Sequence, residues 1–338
     1  MSEIRRDRLH SQYVLIAPER MRRPDTLATS TKSTLKICPF CEGNEGMTPP
    51  EIYALRENAA NASKWKARVV PNLYKAVQIE LEDHSKLSGM FESVSGVGAH
   101  EIVIDTPSHD SRIAALSAVE IRDWLSTIAV RIADLRQDDR LIHTSIFKNH
   151  GEHAGATQQH PHTQIIALPI TPTNELNLLE RHMQYYKRHG RSKMEDILEN
   201  ERLAEVRIIS ERGDFTAYCP YASAFPFEVI IAPRRALTNL DELDRDDMAN
   251  LADLMKEVFA RLDNQLGNFD FNVAFRLAPL NANFENAPYF PHVKQFFRFT
   301  IRIIPRIYRL GGFELSTGMI INPVEPEEAA TLLREAKI

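Results

Sequence analysis

The sequence NHGEHAGATQQHPHTQIIAL occupies residues 149–168. A glycine-spaced loop leads into a polar segment, and an apolar run follows it. Side chains two residues apart on an extended segment face the same way, so His160, His162 and Gln164 are expected to line one face of a strand. Loop amides combined with imidazoles are typical of a site that surrounds a phosphate.

These residue types favour phosphoryl or nucleotidyl transfer. A neutral imidazole can attack phosphorus and form a phosphoramidate, which divides the transfer into two easier steps. The amide NH2 of Gln164 can hold a nonbridging oxygen. An isolated His-x-His pair is more often two surface histidines on a hairpin. Here the glycine loop before the pair and the apolar strand after it favour an active site.

Residues 147–164 resemble, without a gap, the signature of the galactose-1-phosphate uridylyltransferase family, a branch of the histidine-triad superfamily. That signature is Asn-x-Gly, a short glycine or serine loop, His-Pro-His-x-Gln and an apolar strand. The resemblance implies that His162 is the nucleophile, supported by Gln164, and that His160 binds zinc. The loop residues assigned to substrate binding are Asn149, Gly155 and Thr157.

Length and composition restrict the class of protein. With 338 residues, of which 43% are hydrophobic, the chain can bury a sizeable core or form two modest domains. The net charge of −5 argues against a nucleic-acid partner. The N-terminus is polar, and the sequence has no apolar run of roughly 18 residues, so neither a signal peptide nor a membrane span is predicted. We expect a cytoplasmic enzyme.

Two of the three cysteines form a Cys-x-x-Cys knuckle at Cys38 and Cys41. Such a knuckle brings two thiolates onto one metal but leaves zinc two ligands short of its tetrahedral set. Alternatives are a redox pair or two buried free thiols. The candidates for the missing ligands are His160 and His109, since the family places a zinc-binding histidine after a similar strand-ending proline. One structural zinc ion is therefore expected.

Two further segments resemble the nucleotide-binding parts of the family. The cluster ERMRRP at residues 19–24 implies that Arg20 and Arg23 approach the substrate phosphates, and guanidinium groups suit phosphate oxygens. A basic run is otherwise a solvated face. The segment VVPNLY at residues 69–74 implies a base or ribose contact through Asn72, although alone it is a Pro-Asn turn.

The C-terminal tail GGFE, residues 311–314, also resembles the family. It implies sugar contacts from Phe313 and Glu314, because a carboxylate can accept hydrogen bonds from two vicinal hydroxyls. Alone, this glutamate is a surface acid. Some relatives bind a second metal through histidines in the second half. At that place this chain has Thr300 and Arg302, so the second site is expected to be absent or rebuilt.

The chain repeats a pattern of strand, acidic-capped helix and strand. Residues 227–233 echo residues 100–107, a helix predicted at Asp246–Leu262 echoes one capped by Ser117, and residues 300–305 echo residues 162–166. We expect an α+β protein built from a duplicated histidine-triad-like unit, with antiparallel sheets and packed helices. The predicted halves are residues 1–170, with the nucleophile and zinc site, and residues 171–338, with the sugar-contacting tail.

Two connecting segments carry weaker expectations. The polar stretch at residues 80–89 is predicted as a loop. Residues 176–209 are predicted as a helical connection, with His182 and His189 in solvent.

The resemblance implies a ping-pong nucleotidyl transfer. In this scheme His162 takes the nucleotidyl group from a nucleoside diphosphate hexose and passes it to an acceptor phosphate. The first expectation is uridylyl transfer from UDP-glucose to a hexose 1-phosphate such as galactose 1-phosphate. The ending at residues 312–323 is closer to ADP-glucose phosphorylases, which use inorganic phosphate. A third interpretation is a non-catalytic, zinc-stabilised nucleotide-binding protein. A homodimer is expected from the family alone.

Overall fold

The computed structural model describes residues 2–7, 13–18, 37–282 and 290–338. The strands in these ranges are β1 Glu3–Arg6, β2 Tyr13–Ile16, β3 Tyr53–Arg56, β4 Trp65–Pro71, β5 Ser85–Ser88, β6 Phe91–Ser95, β7 Ala99–Ile104, β8 His143–His150, β9 His162–Leu168, β10 Ile208–Arg212, β11 Phe215–Tyr218, β12 Val229–Pro233, β13 Phe271–Arg276 and β14 Thr300–Pro305. The helices are α1 Ala118–Leu135, α2 Thr173–His189, α3 Lys193–Ala204, α4 Arg245–Leu266, α5 Val293–Phe296, α6 Gly312–Thr317 and α7 Pro326–Glu335. No helix of the described ranges is long and apolar enough to cross a lipid bilayer.

Ten strands form one antiparallel sheet in the order β10-β11-β12-β14-β13-β8-β9-β7-β4-β3. The order consists of two five-strand halves that meet where β8 and β13 pair, with Asn149 opposite Asn272. The remaining four strands form a small sheet in the order β2-β1-β6-β5. The two predicted halves therefore contribute to one continuous sheet.

Strand register confirms the duplicated unit. In the first half β7, α1, β8 and β9 follow one another, and Gln164 lies opposite Ile102. In the second half β12, α4, β13 and β14 follow in the same order, and Arg302 lies opposite Ile230. The α+β class with antiparallel sheets is confirmed. The division at residue 170 stays a prediction, since both halves share the sheet.

Helices α1 and α4 pack against each other on one face of the sheet and close the main hydrophobic core. Both begin with a capping box, the predicted one of Ser117 with Glu120 and a second of Asp244 with Asp247. The side chains of these caps satisfy backbone N–H groups that a helix start leaves unpaired. Helix α4 runs four residues beyond its predicted end and stops at Gly267.

Two predictions about the connections were wrong. Within the predicted loop at residues 80–89, Ser85–Ser88 forms strand β5, which pairs with β6. All four of its residues are exposed, so the strand has no alternation of polar and apolar residues that would reveal it. His182 is buried at 7% exposure because it lies on the inner face of α2, whereas His189 is exposed as predicted.

Two buried histidines predict a loss of stability in acid. Burial lowers the pKa of His143 and that of His182 to about 4, and the charge of Arg276 adds to the effect at His143. The unfolded chain, with an ordinary histidine pKa near 6.5, takes up protons below that pH before the folded protein does. The free energy of unfolding should therefore be highest above pH 7. By pH 5.5 each of the two histidines should have lowered it by about 1 kcal/mol.

Urea unfolding at pH 7.5 and 5.5 measures this difference. His182→Leu should reduce the pH dependence, whereas His189→Ala, an exposed histidine on the same helix, should leave it unchanged. An equal pH dependence in the wild type and in His182→Leu would contradict the assignment.

Candidate active site

A cavity of about 250 Å³ lies on the sheet face opposite α1 and α4, beside the glycine loop. Five residues predicted for catalysis or substrate binding line it, namely Asn149, Gly155, Thr157, His162 and Gln164. The others are Ala76, His100, Phe147, Ala156 and Ile166. The structure thus brings together residues from β7, β8, β9 and the loop between β8 and β9.

His162 is the first residue of β9 and is 6% exposed. Its Nδ1 lies 2.9 Å from the carbonyl oxygen of His160, so Nδ1 carries the proton and donates it. Burial, followed by the charge of Lys148, lowers the pKa of His162 to about 4. At neutral pH the ring is therefore uncharged, and its Nε2 has a lone pair available for attack on phosphorus.

The glycine loop takes a backbone path that side chains would prevent. Gly151 has φ +83° and Gly155 has φ +79°. A Cβ at Gly151 would lie 1.8 Å from a carboxylate oxygen of Asp270. That carboxylate accepts hydrogen bonds from the backbone N–H of His153 at 2.7 Å and from its Nδ1 at 2.8 Å. Asp270, which belongs to the second half, therefore holds the loop in place.

Two amide side chains of the cavity are fixed by residues that the sequence analysis missed. Nε2 of His100 lies 3.1 Å from Oε1 of Gln164. Nδ2 of Asn272 donates to Oδ1 of Asn149 at 2.8 Å and to the carbonyl oxygen of Ala154 at 2.9 Å. In both amides the oxygen faces the protein, which leaves the NH2 groups as donors for an anion.

A buried ion pair lies behind His162. Nζ of Lys148 is 2.7 Å from Oδ2 of Asp105 and donates to the carbonyl oxygen of His162 at 3.3 Å. Both side chains of the pair are 2% exposed. The pair fixes the start of β9 against the end of β7, since charges buried together hold a defined geometry.

Four side chains form a group that can hold one metal ion, namely Cys38, Cys41, His109 and His160. Nδ1 of His160 lies 3.8 Å from Sγ of Cys38 and 3.7 Å from Sγ of Cys41. Nδ1 of His109 lies 3.3 Å from Sγ of Cys41. Ligands of a tetrahedral zinc ion with ordinary bond lengths are roughly 3.6 Å apart, so the four positions fit such an ion.

The protonation pattern also suits a metal. Nε2 of His160 donates to the carbonyl oxygen of Thr106 at 2.8 Å, which leaves Nδ1 free to bind a cation. Burial, and then the neighbouring Cys38, raise the pKa of the Cys41 thiol to about 11 without a cation. A divalent ion held there would supply the positive charge that favours the Cys41 thiolate. The predicted ligand set is therefore brought together, and the identity of the metal stays a prediction.

Other predicted site residues lie outside the cavity lining. Asn72, in the turn after β4, contacts His100 through its amide, with Nδ2 2.9 Å from Nε2 of that ring. Phe313 is 47% exposed on α6, and Glu314 accepts from the backbone N–H of Gly311. Their substrate contacts stay predictions. Arg20 and Arg23 lie outside the described residues.

The second half carries different chemistry at the equivalent positions. Arg298 takes the place of His160, and its guanidinium donates to the carbonyl oxygens of Lys294 and Phe297. Arg302 takes the place of Gln164 and donates to Oε1 of Glu228 at 2.5 Å. These side chains supply cations and a paired carboxylate where the first half has imidazoles and an amide. Thr300 takes the place of His162, so only the first half has a histidine at this position.

Comparison with known proteins agrees with this arrangement. The model of the galactose-1-phosphate uridyl transferase N-terminal domain matches residues 1–172, and that of the C-terminal domain matches residues 178–337. An ADP-glucose phosphorylase of Arabidopsis thaliana is 30% identical over 99% of this chain and 93% of its own. A galactose-1-phosphate uridylyltransferase of Thermotoga maritima is 28% identical over 100% of this chain and 99% of its own.

A solved structure matches over the whole length of both chains. It is an ADP-glucose phosphorylase from Arabidopsis thaliana with bound ADP-glucose, 28% identical, with a TM-score of 0.76 and 100% of each chain covered.

The duplicated sheet, with a histidine beside the glycine loop, defines a protein of the histidine-triad class. Within it, the chain belongs to the galactose-1-phosphate uridyl transferase family, as both domain models and the relatives show. It is a nucleotidyltransferase of that family.

Proposed function

We propose that this protein transfers a nucleoside monophosphate from a nucleoside diphosphate hexose to a phosphate-bearing acceptor, with His162 as the covalent carrier. The observation that supports it best is the state of His162. The ring is buried in the cavity, its Nδ1–H is engaged by the carbonyl oxygen of His160, and its pKa is lowered to about 4. A neutral imidazole with one free nitrogen is a ready nucleophile at pH 7.

The proposed reaction has two balanced steps. Nε2 of His162 attacks the α-phosphorus, a P–N bond forms, and the bond to the bridging oxygen breaks to release hexose 1-phosphate. The ring becomes a cation that keeps its Nδ1–H on the carbonyl oxygen of His160. An oxygen of the acceptor phosphate then attacks phosphorus, and the P–N bond breaks to restore the neutral ring.

The polar groups around the cavity support this chemistry. The NH2 groups of Gln164 and Asn149 and the amides of the glycine loop are donors for nonbridging oxygens, which gain negative charge in the transition state. Arg20 and Arg23 are proposed to neutralise the phosphates from the N-terminal segment. These groups bind and orient the substrate without exchanging protons.

The metal is proposed to be one zinc ion held by Cys38, Cys41, His109 and His160. A closed set of four protein ligands is typical of a structural zinc site. Bound there, the ion would fix the segment before β9 to the Cys38 turn. Its contribution is therefore to the position of His162, which follows two residues after a ligand.

Two substrate pairs fit the proposal. Uridylyl transfer from UDP-glucose to a hexose 1-phosphate, within galactose metabolism, is the first candidate. Phosphorolysis of ADP-glucose by inorganic phosphate is the second, favoured by the Arabidopsis relative at 30% identity and by the ending at residues 312–323.

A crossed assay separates the two candidates. UDP-glucose and ADP-glucose are each combined with galactose 1-phosphate or with inorganic phosphate, and the products are separated by ion-exchange chromatography. UDP-galactose as the dominant product supports the first candidate, and ADP from ADP-glucose with phosphate supports the second. No turnover in any of the four combinations would contradict both.

We further propose that the protein acts as a homodimer in which α6 reaches the cavity of the partner. Phe313 and Glu314 are outside the cavity lining of their own chain. Several large apolar side chains of this tail are exposed, at 38–75%, which suits an interface. They are Ile307, Tyr308, Leu310, Phe313, Leu315, Met319 and Ile321.

Complementation between two inactive variants tests this arrangement. One variant carries His162→Ala, and the other carries Phe313→Ala with Glu314→Gln. Each should be nearly inactive alone. Co-expression should restore about a quarter of wild-type turnover, because half of the dimers are mixed and each mixed dimer has one complete site. Turnover no greater than that of the separate variants, or a monomer by light scattering, would contradict the arrangement.

A further inference from the structure

His100 is a buried ring in contact with the candidate active site. It lies on β7, is 4% exposed and lines the cavity. Its neighbour Glu101 faces the other way and forms a buried ion pair with Arg131 of α1. The alternation of the strand therefore sends Glu101 into the core and His100 toward the nucleophile's face.

The hydrogen-bond network assigns the proton of this ring. The backbone N–H of Ala76 donates to Nδ1 of His100 at 3.0 Å, so Nδ1 has no proton and Nε2 carries it. Nε2 has two polar neighbours, Oε1 of Gln164 at 3.1 Å and Nδ2 of Asn72 at 2.9 Å. Of these two atoms, only the oxygen can accept the proton, so the contact with Asn72 is not a hydrogen bond in this tautomer.

This contact decides which half of the Gln164 amide meets a substrate. The oxygen and nitrogen of an amide have similar shapes, so a half-turn of the side chain exchanges them at little steric cost. With Oε1 held by His100, the NH2 group is presented as a donor. The reverse orientation would direct a carbonyl oxygen at an anionic phosphate and replace attraction with repulsion.

The hydrogen bond between these two strand positions runs in the opposite direction in the second half. There Glu228 and Arg302 occupy the equivalent positions, and the residue on the later strand is the donor. In the first half the residue on the later strand, Gln164, is the acceptor. The duplication therefore preserves the contact between the two positions, while the donor and the acceptor exchange strands.

We propose that His100 is a positioning residue, which holds the Gln164 amide with its NH2 group toward the α-phosphate in the nucleotidyl transfer. The inference rests on the proposed function. His100 is not among the site residues predicted from the sequence, and it acts through Gln164.

Two isosteric variants separate positioning from structural support. The terminal NH2 group of a glutamine can replace Nε2–H, so His100→Gln keeps the donor to Gln164. The shorter asparagine can replace the acceptor at Nδ1, so His100→Asn keeps the bond from Ala76 but loses the donor. The rate of covalent nucleotidylation of His162 is measured in a single turnover at saturating sugar nucleotide, together with metal content and thermal unfolding.

Complete loss of an oriented transition-state donor costs roughly 100- to 1,000-fold. We expect His100→Asn to slow nucleotidylation by about 10- to 100-fold, because Gln164 keeps its NH2 group and loses only its fixed orientation. His100→Gln should stay within about 3-fold of the wild type, and both should keep the metal and the unfolding temperature. In a Gln164→Ala background, His100→Asn should cause no further slowing, since the two residues act as one unit.

Equal rates for the two His100 variants would overturn the inference, as would a further loss on the Gln164→Ala background. Nitrogen-15 NMR of the wild-type ring gives a check that does not depend on variant folding. The inference requires the Nε2–H tautomer, and the Nδ1–H tautomer would contradict it. A wild type that forms no nucleotidyl adduct would instead refute the proposed function, while the tautomer measurement would still stand.

Discussion

His162→Ala is expected to reduce steady-state turnover by about 10⁴-fold or more, because loss of a covalent nucleophile removes the whole two-step path. Nucleotide affinity should change little, since the loop amides, Asn149 and Gln164 remain in the cavity. Turnover is measured with the active substrate pair, and affinity by calorimetry with the sugar nucleotide.

A histidine on the exposed face of α2 provides the matched control. His189→Ala also removes an imidazole, but His189 does not line the cavity, so this variant should retain full turnover. If His162→Ala keeps more than about a hundredth of wild-type turnover, His162 is not the nucleophile. If the wild type binds nucleotide and has no turnover to lose, the non-catalytic interpretation replaces the enzyme.

Cys41→Ser is expected to remove the metal and to destabilise the protein by about 3 kcal/mol or more, because the binding free energy of a structural metal is part of the folding free energy. Its thiol faces both His109 and His160 at 3.3 and 3.7 Å, so its loss breaks the group at its centre. Metal content by mass spectrometry should fall from one ion per chain to near zero, with a matching drop in denaturant midpoint.

Cys219→Ala is the control for removing a thiol. Cys219 is fully buried in the core and belongs to no group of metal-binding side chains among the described residues. The Cys219→Ala variant should retain one metal ion per chain. Its free energy of unfolding should fall only by the amount usual for a small core substitution. A wild-type protein free of metal, or Cys41→Ser with wild-type stability, would contradict a structural metal at this site.

Much of the fold could be predicted from local patterns. The duplication was visible because apolar runs and capped helices recur in the same order, and Ser117 with Glu120 marks a helix start by itself. Strand β5 was missed because a strand exposed on all residues has no hydrophobic period. The burial of His182 was detectable, since Leu179, His182 and Tyr186 follow helical spacing on α2.

The candidate site also contains residues that a local motif predicts and residues that it does not. His162, Gln164 and the glycine loop belong to one continuous segment, so a single motif predicts them. His100, Asn272 and Asp270 were missed because they reach the site across paired strands or from the second half. Their roles depend on strand register, and the sequence had no local signal for it. The contact between Lys148 and Asp105 depends on tertiary structure in the same way.

The most direct test of the account is intact-protein mass spectrometry after mixing with UDP-glucose and, separately, with ADP-glucose, with no acceptor present. The account predicts a mass increase of one nucleoside monophosphate with one of the two. The adduct should be acid-labile and map to His162, and the donor that forms it identifies the base. An unmodified protein with both sugar nucleotides, or an adduct on another residue, would contradict a covalent nucleotidyl-histidine at this site.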